Sequence, residues 1–206
     1  MTRTLVVGEA LIDAVTRATG GTTEHVGGSP ANVAFGLAAL EHDVDLATWI
    51  GADEHGELIE AVCRSRGVAL TPGSRGAQRT SVAQATLDPL GAATYDFDLE
   101  WRITPVPGLE AYGHVHTGSI GAVLLPGAAV VRETLRSARA SATISYDPNA
   151  RPSLMGTAAQ ARTVIEESIA LSDVVKVSDE DIDWLCPGES IDQVVRSWAA
   201  LGPALV

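Results

Sequence analysis

The sequence predicts an α/β fold, a mainly parallel sheet with helices on both faces. Two observations carry this. Short β-branched apolar runs alternate with helical patterns along most of the 206 residues, the order that parallel sheets require. Glycines and hydrogen-bonding side chains gather just after the strands, where open α/β sheets bind ligands. A third observation, a pair of strands within residues 80–103, breaks the alternation and predicts an insertion lying off the main sheet.

The elements follow in order. "TLVVG" (4–8) reads as a buried strand ending in glycine. "SPANVAFGLAAL" (29–40) reads as a helix, with Ser29 as N-cap and Pro30 at the first helical position. "VDLATWIG" (44–51) is a strand, and "EHGELIEAVCRSRG" (54–67) a helix with Leu58, Ile59, Val62 and Cys63 on one face, stopped by Gly67. "TSVAQATL" and "AATYDFDLEW", joined by "DPLG", form the hairpin. "HVHTGS" (114–119) returns to a strand, "GAAVVRETLRSARAS" (127–141) to a helix and "ATISYDPN" (142–149) to a strand. The helix at 158–172 places Ala161, Val164, Ile165, Ser168 and Leu171 in register. "DVVKVS" (173–178) is a strand, and helices follow at 179–186 and 190–202. "PALV" (203–206) has the character of a strand that has just begun.

Composition bounds the function. The chain is 46% hydrophobic but only 4% aromatic, so its core is Ala, Val, Leu and Ile. A net charge of −12 repels nucleic acid and anionic membranes, which excludes both as partners. Cys63 and Cys186 lack metal or redox spacing and read as buried small hydrophobes. The N-terminal run is broken by Glu9 and Asp13, unlike a signal peptide or membrane span; the expected compartment is the cytoplasm.

Four clusters offer chemistry. Asn32 falls in the first turn of its helix, near the free N–H groups and positive dipole end; Gly27 and Gly28 let a ligand approach the backbone. An amide there suits a pair of neighbouring hydroxyls, although a capped helix without a ligand explains the same residues. Asp13 lies beyond the first strand, as a polyol-binding carboxylate or a surface turn former. Asp147, Asn149 and Arg151 share a proline-bounded loop, where Arg can grip a phosphate oxygen or simply face solvent. Lys176 precedes acids that either cap a helix or hold Mg²⁺ through water. The five histidines show no ligand spacing, and His114 and His116 on one strand face read as structural. Neither a Gly-x-Ser-x-Gly elbow nor a Walker loop occurs.

In this order the clusters resemble the PfkB family of carbohydrate kinases, the ribokinase-like fold, in its fructokinase and 2-keto-3-deoxygluconate kinase branch. The matching stretches are "VVGEALIDAV" (6–15), "GGSPANVAFGLAAL" (27–40), "WIGADEHGELI" (49–59), "RGVAL" (66–70), "HTGSI" (116–120), "DPNARPSL" (147–154) and "KVSDEDIDWL" (176–185). The resemblance implies one incomplete kinase domain over 1–206, with a β lid at about 80–103 that covers the sugar. It implies that Asp13, Gly27, Gly28 and Asn32 bind the sugar hydroxyls, with Gly118 and Ser119 at its other side and Tyr95 and Phe97 packed over it. Arg151 assists the transferred phosphate. Asn149, Lys176, Ser178 and Asp181 lie on the side of ATP and Mg²⁺, where Ser178 and Asp181 depart from the family's Asn and Glu. The family's second signature, Asp-Thr-x-Gly-Ala-Gly-Asp, which supplies the anion hole and the catalytic base, does not occur in these residues. The resemblance places that base Asp beyond Val206, so no catalytic base is expected within residues 1–206.

The resemblance therefore implies an ATP-dependent sugar kinase, acting on a hexose or keto-sugar acid, whose C-terminal third is missing and which is inactive as this chain alone. Two alternatives stand beside it: a non-catalytic sugar-binding or interaction protein, and a nucleoside kinase of the same fold. Loss of the C-terminal part would leave apolar surface bare, so the expectation is a homodimer that covers it, with marginal stability or a longer gene product as the alternatives.

Overall fold

A computed structural model describes residues 2–17, 20–87 and 93–206, with the backbone alone for residues 93–95. The chain begins with β1 (Arg3–Val7), β2 (Leu11–Thr16), β3 (Thr22–Gly27) and α1 (Ser29–Ala39). It continues through β4 (Val44–Ala47), β5 (Ile50–Gly51), α2 (Glu54–Ser65), β6 (Ala69–Leu70) and β7 (Arg75–Ala77). β8 (Val82–Leu87), β9 (Ala93–Asp98), β10 (Tyr112–Gly118), α3 (Gly127–Ala138) and β11 (Thr143–Asp147) follow. The last elements are α4 (Pro152–Met155), α5 (Ala158–Ile169), β12 (Val174–Val175), α6 (Asp179–Leu185) and α7 (Ile191–Ala199).

Six strands form the central parallel sheet in the order β12-β11-β10-β1-β4-β6. Alternation along β1 splits its side chains between two cores. Leu5 and Val7 pack with Val131, Leu135 and Ala138 of α3. Val6 packs on the opposite face with Ala31, Ala34 and Phe35 of α1 and with Ile59 and Cys63 of α2. A third core gathers α5 to α7 around Ile165, Ile169 and Trp198 and extends to Leu11 and Ala83. Cys63 and Cys186 are free and buried, as expected.

The sheet off the main body is larger than the expected hairpin. β8 and β9 pair antiparallel as the sequence indicates, but β8 also pairs in parallel with β2, which pairs antiparallel with β3. Half of this four-stranded lid is thus residues 11–27, a stretch the sequence reading left without strands because an Asp and charged or polar residues interrupt its apolar pattern. Other boundaries also contract. The 44–51 strand splits into β4 and β5, the 173–178 strand shrinks to two residues, and α5 ends before Leu171. The strand expected at 203–206 is reduced to one isolated parallel bridge, from Leu205 to Val174 at the sheet edge. Val206 follows it, partly buried against the third core. Beside it, Val174, Ile191 and Leu205 are exposed at 37%, 49% and 62%.

Body and lid are joined at Asp53, the N-cap of α2. Its carboxylate accepts from the Gly56 N–H at 2.8 Å, the Thr80 N–H at 2.7 Å and the Thr80 hydroxyl at 2.6 Å. Burial pushes its pKa up, but the Thr80 and Gly56 hydrogen bonds outweigh burial and hold it below the ordinary carboxylate range. The stabilisation is therefore present above the unfolded-state pKa and is lost as pH falls through the depressed folded value. Asp53→Ala is expected to cost about 1–3 kcal/mol in urea denaturation at neutral pH, and the difference from wild type should shrink in acid.

Candidate functional site

The site lies where lid and body meet, and its floor depends on contacts that no side chain larger than hydrogen permits. A Cβ on Gly8 would fall 2.3 Å from Cγ of Pro30, so the start of α1 rests directly on the end of β1. A Cβ on Gly28 would meet the Glu9 carbonyl oxygen at 2.4 Å, and Gly28 adopts φ 99°. A Cβ on Gly27 would meet Oδ2 of Asp13 at 1.9 Å. The room these glycines leave is occupied by the chain's own Glu9 and Asp13, rather than left open as the sequence reading supposed. Ser29 is not the N-cap: Gly28 holds that position without a side-chain cap, Ser29 is the first helical residue and Pro30 follows it. Asn32 stays in the first turn, its N–H bonded to the Gly28 carbonyl at 2.9 Å.

Around this floor is a cavity of about 440 Å³ lined by Glu9, Asp13, Gly28, Asn32, Ser119, Asn149 and Arg151, with Leu11, Ala83, Phe97 and Ile120 as apolar wall. Asp13 is carried by β2 of the lid rather than by the loop after β1. Burial raises its pKa, while Arg151 and His25 pull it down. Phe97 of β9 lines the cavity. Tyr95 belongs to the same strand and pairs with Ala85, but its side chain lies outside the described residues.

The opposite wall is the turn after β10. A Cβ on Gly118 would meet the Asp147 carbonyl at 2.2 Å, which draws β10 against β11. Ser119 follows at φ 53°, an unfavourable conformation for a residue with a side chain. It is held there by its N–H bond to the Asp147 carbonyl at 3.0 Å. Trp101, just past the hairpin, donates from Nε1 to the Gly121 carbonyl at 2.9 Å and locks this turn to the lid connection.

The 147–151 loop is cross-braced. Asn149, at φ 37°, donates its N–H to Oδ1 of Asp147 at 3.2 Å. Arg151 Nη1 bonds Asn149 Oδ1 at 3.0 Å and the Ala150 carbonyl at 2.8 Å. Burial raises the Asp147 pKa, and Lys176 Nζ, 3.2 Å from its Oδ2, opposes the rise. Asn149 and Arg151 face the cavity; Lys176, Ser178 and Asp181 do not line it. Val206, the residue beyond which the resemblance sets the catalytic base, does not line it either. It borders a separate apolar groove with Val174, Lys176, Ile191 and Leu205. Ser178 is the N-cap of α6 in a capping box with Asp181. Asp181 accepts from the Ala150 N–H at 2.8 Å and the Ser178 N–H at 3.5 Å, so both its oxygens serve the fold. Among the described residues, no group of three His, Cys, Asp or Glu side chains is placed to hold a metal.

His114 and His116 are structural: His114 Nε2 and His116 Nδ1 contact the Ser145 hydroxyl at 2.8 and 2.9 Å. Burial lowers the His116 pKa to about 4, which keeps it neutral at physiological pH. Glu9 is the site residue that the sequence reading missed. The signal was a lone acid inside an apolar run directly after Gly8.

A parallel sheet capped by a small β lid, with a polar cavity between them, defines an α/β protein with a lidded pocket. The chain belongs to the family described as pfkB family carbohydrate kinase, which matches residues 1–205. Fructokinase of Vibrio alginolyticus is 27% identical over 214 residues, covering 100% of this chain and 70% of the relative. Fructokinase of Rhizobium leguminosarum bv. trifolii is 30% identical over 213 residues, covering 98% of this chain and 65% of the relative. The crystal structure of fructokinase from Xylella fastidiosa superposes with a TM-score of 0.86 at 26% identity, covering 99% of this chain and 68% of that one. A second structure from that organism, with bound ATP, has a TM-score of 0.81 at 24% identity, covers 97% of this chain and 65% of that one, and shows the same fold. The expected ribokinase-like fold and family are thereby shown, and the chain spans about two thirds of the length of these relatives. Among the described residues no helix is long and apolar enough to cross a membrane.

The two floor glycines differ in a testable way. Gly28→Ala meets backbone at a left-handed φ and is expected to cost about 2 kcal/mol or more in urea denaturation. Gly27→Ala meets only the end of the Asp13 side chain, which can rotate away, so its cost should stay below about 1 kcal/mol while Asp13 is displaced from its position.

Proposed function

We propose that this chain is the sugar-binding part of an ATP-dependent, fructokinase-like kinase that transfers a phosphoryl group to a hydroxyl of a hexose or keto-sugar acid. The observation that carries the reading is the cavity itself, where Asp13 and Asn32 stand with Arg151 and Ser119 beneath the apolar lid residues Ala83 and Phe97. A carboxylate and an amide together accept from and donate to vicinal hydroxyls, and an apolar lid face excludes the water that competes as phosphoryl acceptor. The fructokinase names of the relatives favour fructose among the hexoses.

In this reading Asp13, Gly28 and Asn32 orient the sugar, and Gly118 and Ser119 shape its far side. Arg151, at the cavity mouth, meets the incoming phosphate as a fixed cation. ATP supplies the phosphoryl group from the side of Lys176. The Mg²⁺ that phosphoryl transfer uses finds no ready ligands in Ser178 and Asp181, whose polar atoms are engaged in the capping box, and no step is assigned to them. The base and anion hole belong to the signature that these residues do not contain. The reading includes a homodimer that covers the exposed Val174, Ile191 and Leu205; sedimentation as a monomer at micromolar concentration would remove that element.

A thermal-shift panel of fructose, keto-deoxygluconate, ribose and adenosine tests the reading, with fructose or keto-deoxygluconate expected to stabilise the chain. Stabilisation by adenosine alone would turn the assignment to a nucleoside kinase. Coupled ADP release by residues 1–206 with fructose and Mg-ATP is expected to stay at background; robust turnover would show that a base lies within this chain.

A further inference from the structure

Glu9 has no role in the reading above. Its side chain is only 5% exposed, yet it borders the cavity. Its Oε2 accepts the Gly121 N–H at 2.9 Å; Ser119 and Ser29, which line the same cavity, turn a hydroxyl and an N–H toward its carboxylate closely enough to hold its pKa down against burial. These donors come from two separate walls. Ser29 opens α1, the helix that presents Asn32. Ser119 and Gly121 belong to the turn after β10, where Ser119 is held in its unfavourable conformation. A Cβ on Gly121 would come within 2.9 Å of Glu9 Oε2, so a glycine permits the close approach.

We propose that Glu9 is a positioning residue for the sugar pocket: its carboxylate ties the start of α1 to the 119–121 turn and thereby fixes how far apart Asn32 and Ser119 stand. The proposal rests on the sugar reading for the pocket's occupant, though not for the tie itself. An ionised carboxylate is acceptor-only and can receive all three donors. Protonated, or replaced by an amide, the group turns a donor toward one of them and loosens a wall. Burial makes the ionised form costly and raises the Glu9 pKa to about 7. A buried acid of this kind is a poor source of stability compared with an apolar residue, which is why its convergence on two pocket walls points to positioning. The charged groups that share the cavity are Asp13 from β2 and Arg151 from the loop before α4, and His25 of β3 acts on Asp13.

The test is a pH titration of the ¹⁵N-labelled 206-residue chain, without sugar, from about pH 5.5 to about pH 8.5. The amides of Ser29, Asn32 and Gly121 are expected to shift together with one midpoint near neutrality, and to lose that transition in Glu9→Gln. In parallel, fructose affinity measured by calorimetry is expected to fall about fivefold or more in Glu9→Gln at the alkaline end. The wild-type affinity should drop toward the variant's in acid. Amides that titrate independently, or identically in wild type and variant, overturn the proposal. So does a fructose affinity with the same pH profile in both proteins. If wild type binds neither fructose nor keto-deoxygluconate while its amides titrate together, the sugar reading fails and the tie between the walls stands. If Glu9→Gln does not fold, Glu9→Asp carries the comparison: it keeps an acceptor-only group on a shorter arm and is expected to retain a common midpoint with weakened fructose binding. A common midpoint absent from both wild type and Glu9→Asp overturns the proposal.

Discussion

Everything at the site depends on how closely residues 27–30 can lie against residues 8–13. Three glycines make that contact possible. Gly8 accepts the Pro30 ring, Gly28 lies on the Glu9 carbonyl and Gly27 lies against the Asp13 carboxylate. A methyl group at any of these positions would meet an atom inside van der Waals contact distance. Because the chain crosses itself here without intervening side chains, the end of β1, the start of the lid and the first turn of α1 occupy one small volume. The polar groups of three elements therefore reach a single cavity.

The electrostatics of that cavity follow from its crowding. In a chain of net charge −12, burial raises the pKa of Glu9, Asp13 and Asp147 together. What offsets the crowding is local. N–H donors reach Glu9, Arg151 acts on Asp13, and Lys176 faces Asp147. None of the compensation needs net positive charge on the protein. The exposed Arg151 lines the same cavity.

How much of this was legible in the sequence differs by element. The parallel body could be read because each strand is a short apolar run followed by a helix pattern, as in "TLVVG" and "VDLATWIG". The grouping of Asp13, Asn32, Ser119 and Arg151 was legible from motif order and the family resemblance. β2 and β3 were not, because their partners are a mixture of near and distant strands and because Asp13, which lines the cavity, and the exposed Glu24 and His25 interrupt their apolar pattern. Neither was the role of Gly27 and Gly28. Sequence tells that a glycine leaves room, whereas only the fold tells that Asp13 and Glu9 fill it. Ser178 and Asp181 show the same limit in reverse, since a capping box and a metal-binding acid look alike until their partners are known.

The parallel pairing of β2 with β8 has a consequence for how this architecture can vary. The lid is stitched from two stretches of chain some seventy residues apart, and each enters and leaves the body beside the cavity. Such a lid cannot be trimmed, lengthened or exchanged as a single surface loop, because removing the 80–103 hairpin would leave β2 and β3 as an unsupported ribbon still attached to the ligand-facing floor. Diversification of the pocket is therefore channelled into side chains on fixed strands, and any rocking of the lid pulls directly on Gly8–Leu11 and Gly27–Ser29. A ligand that draws the lid down would be felt at the start of α1 without any separate relay.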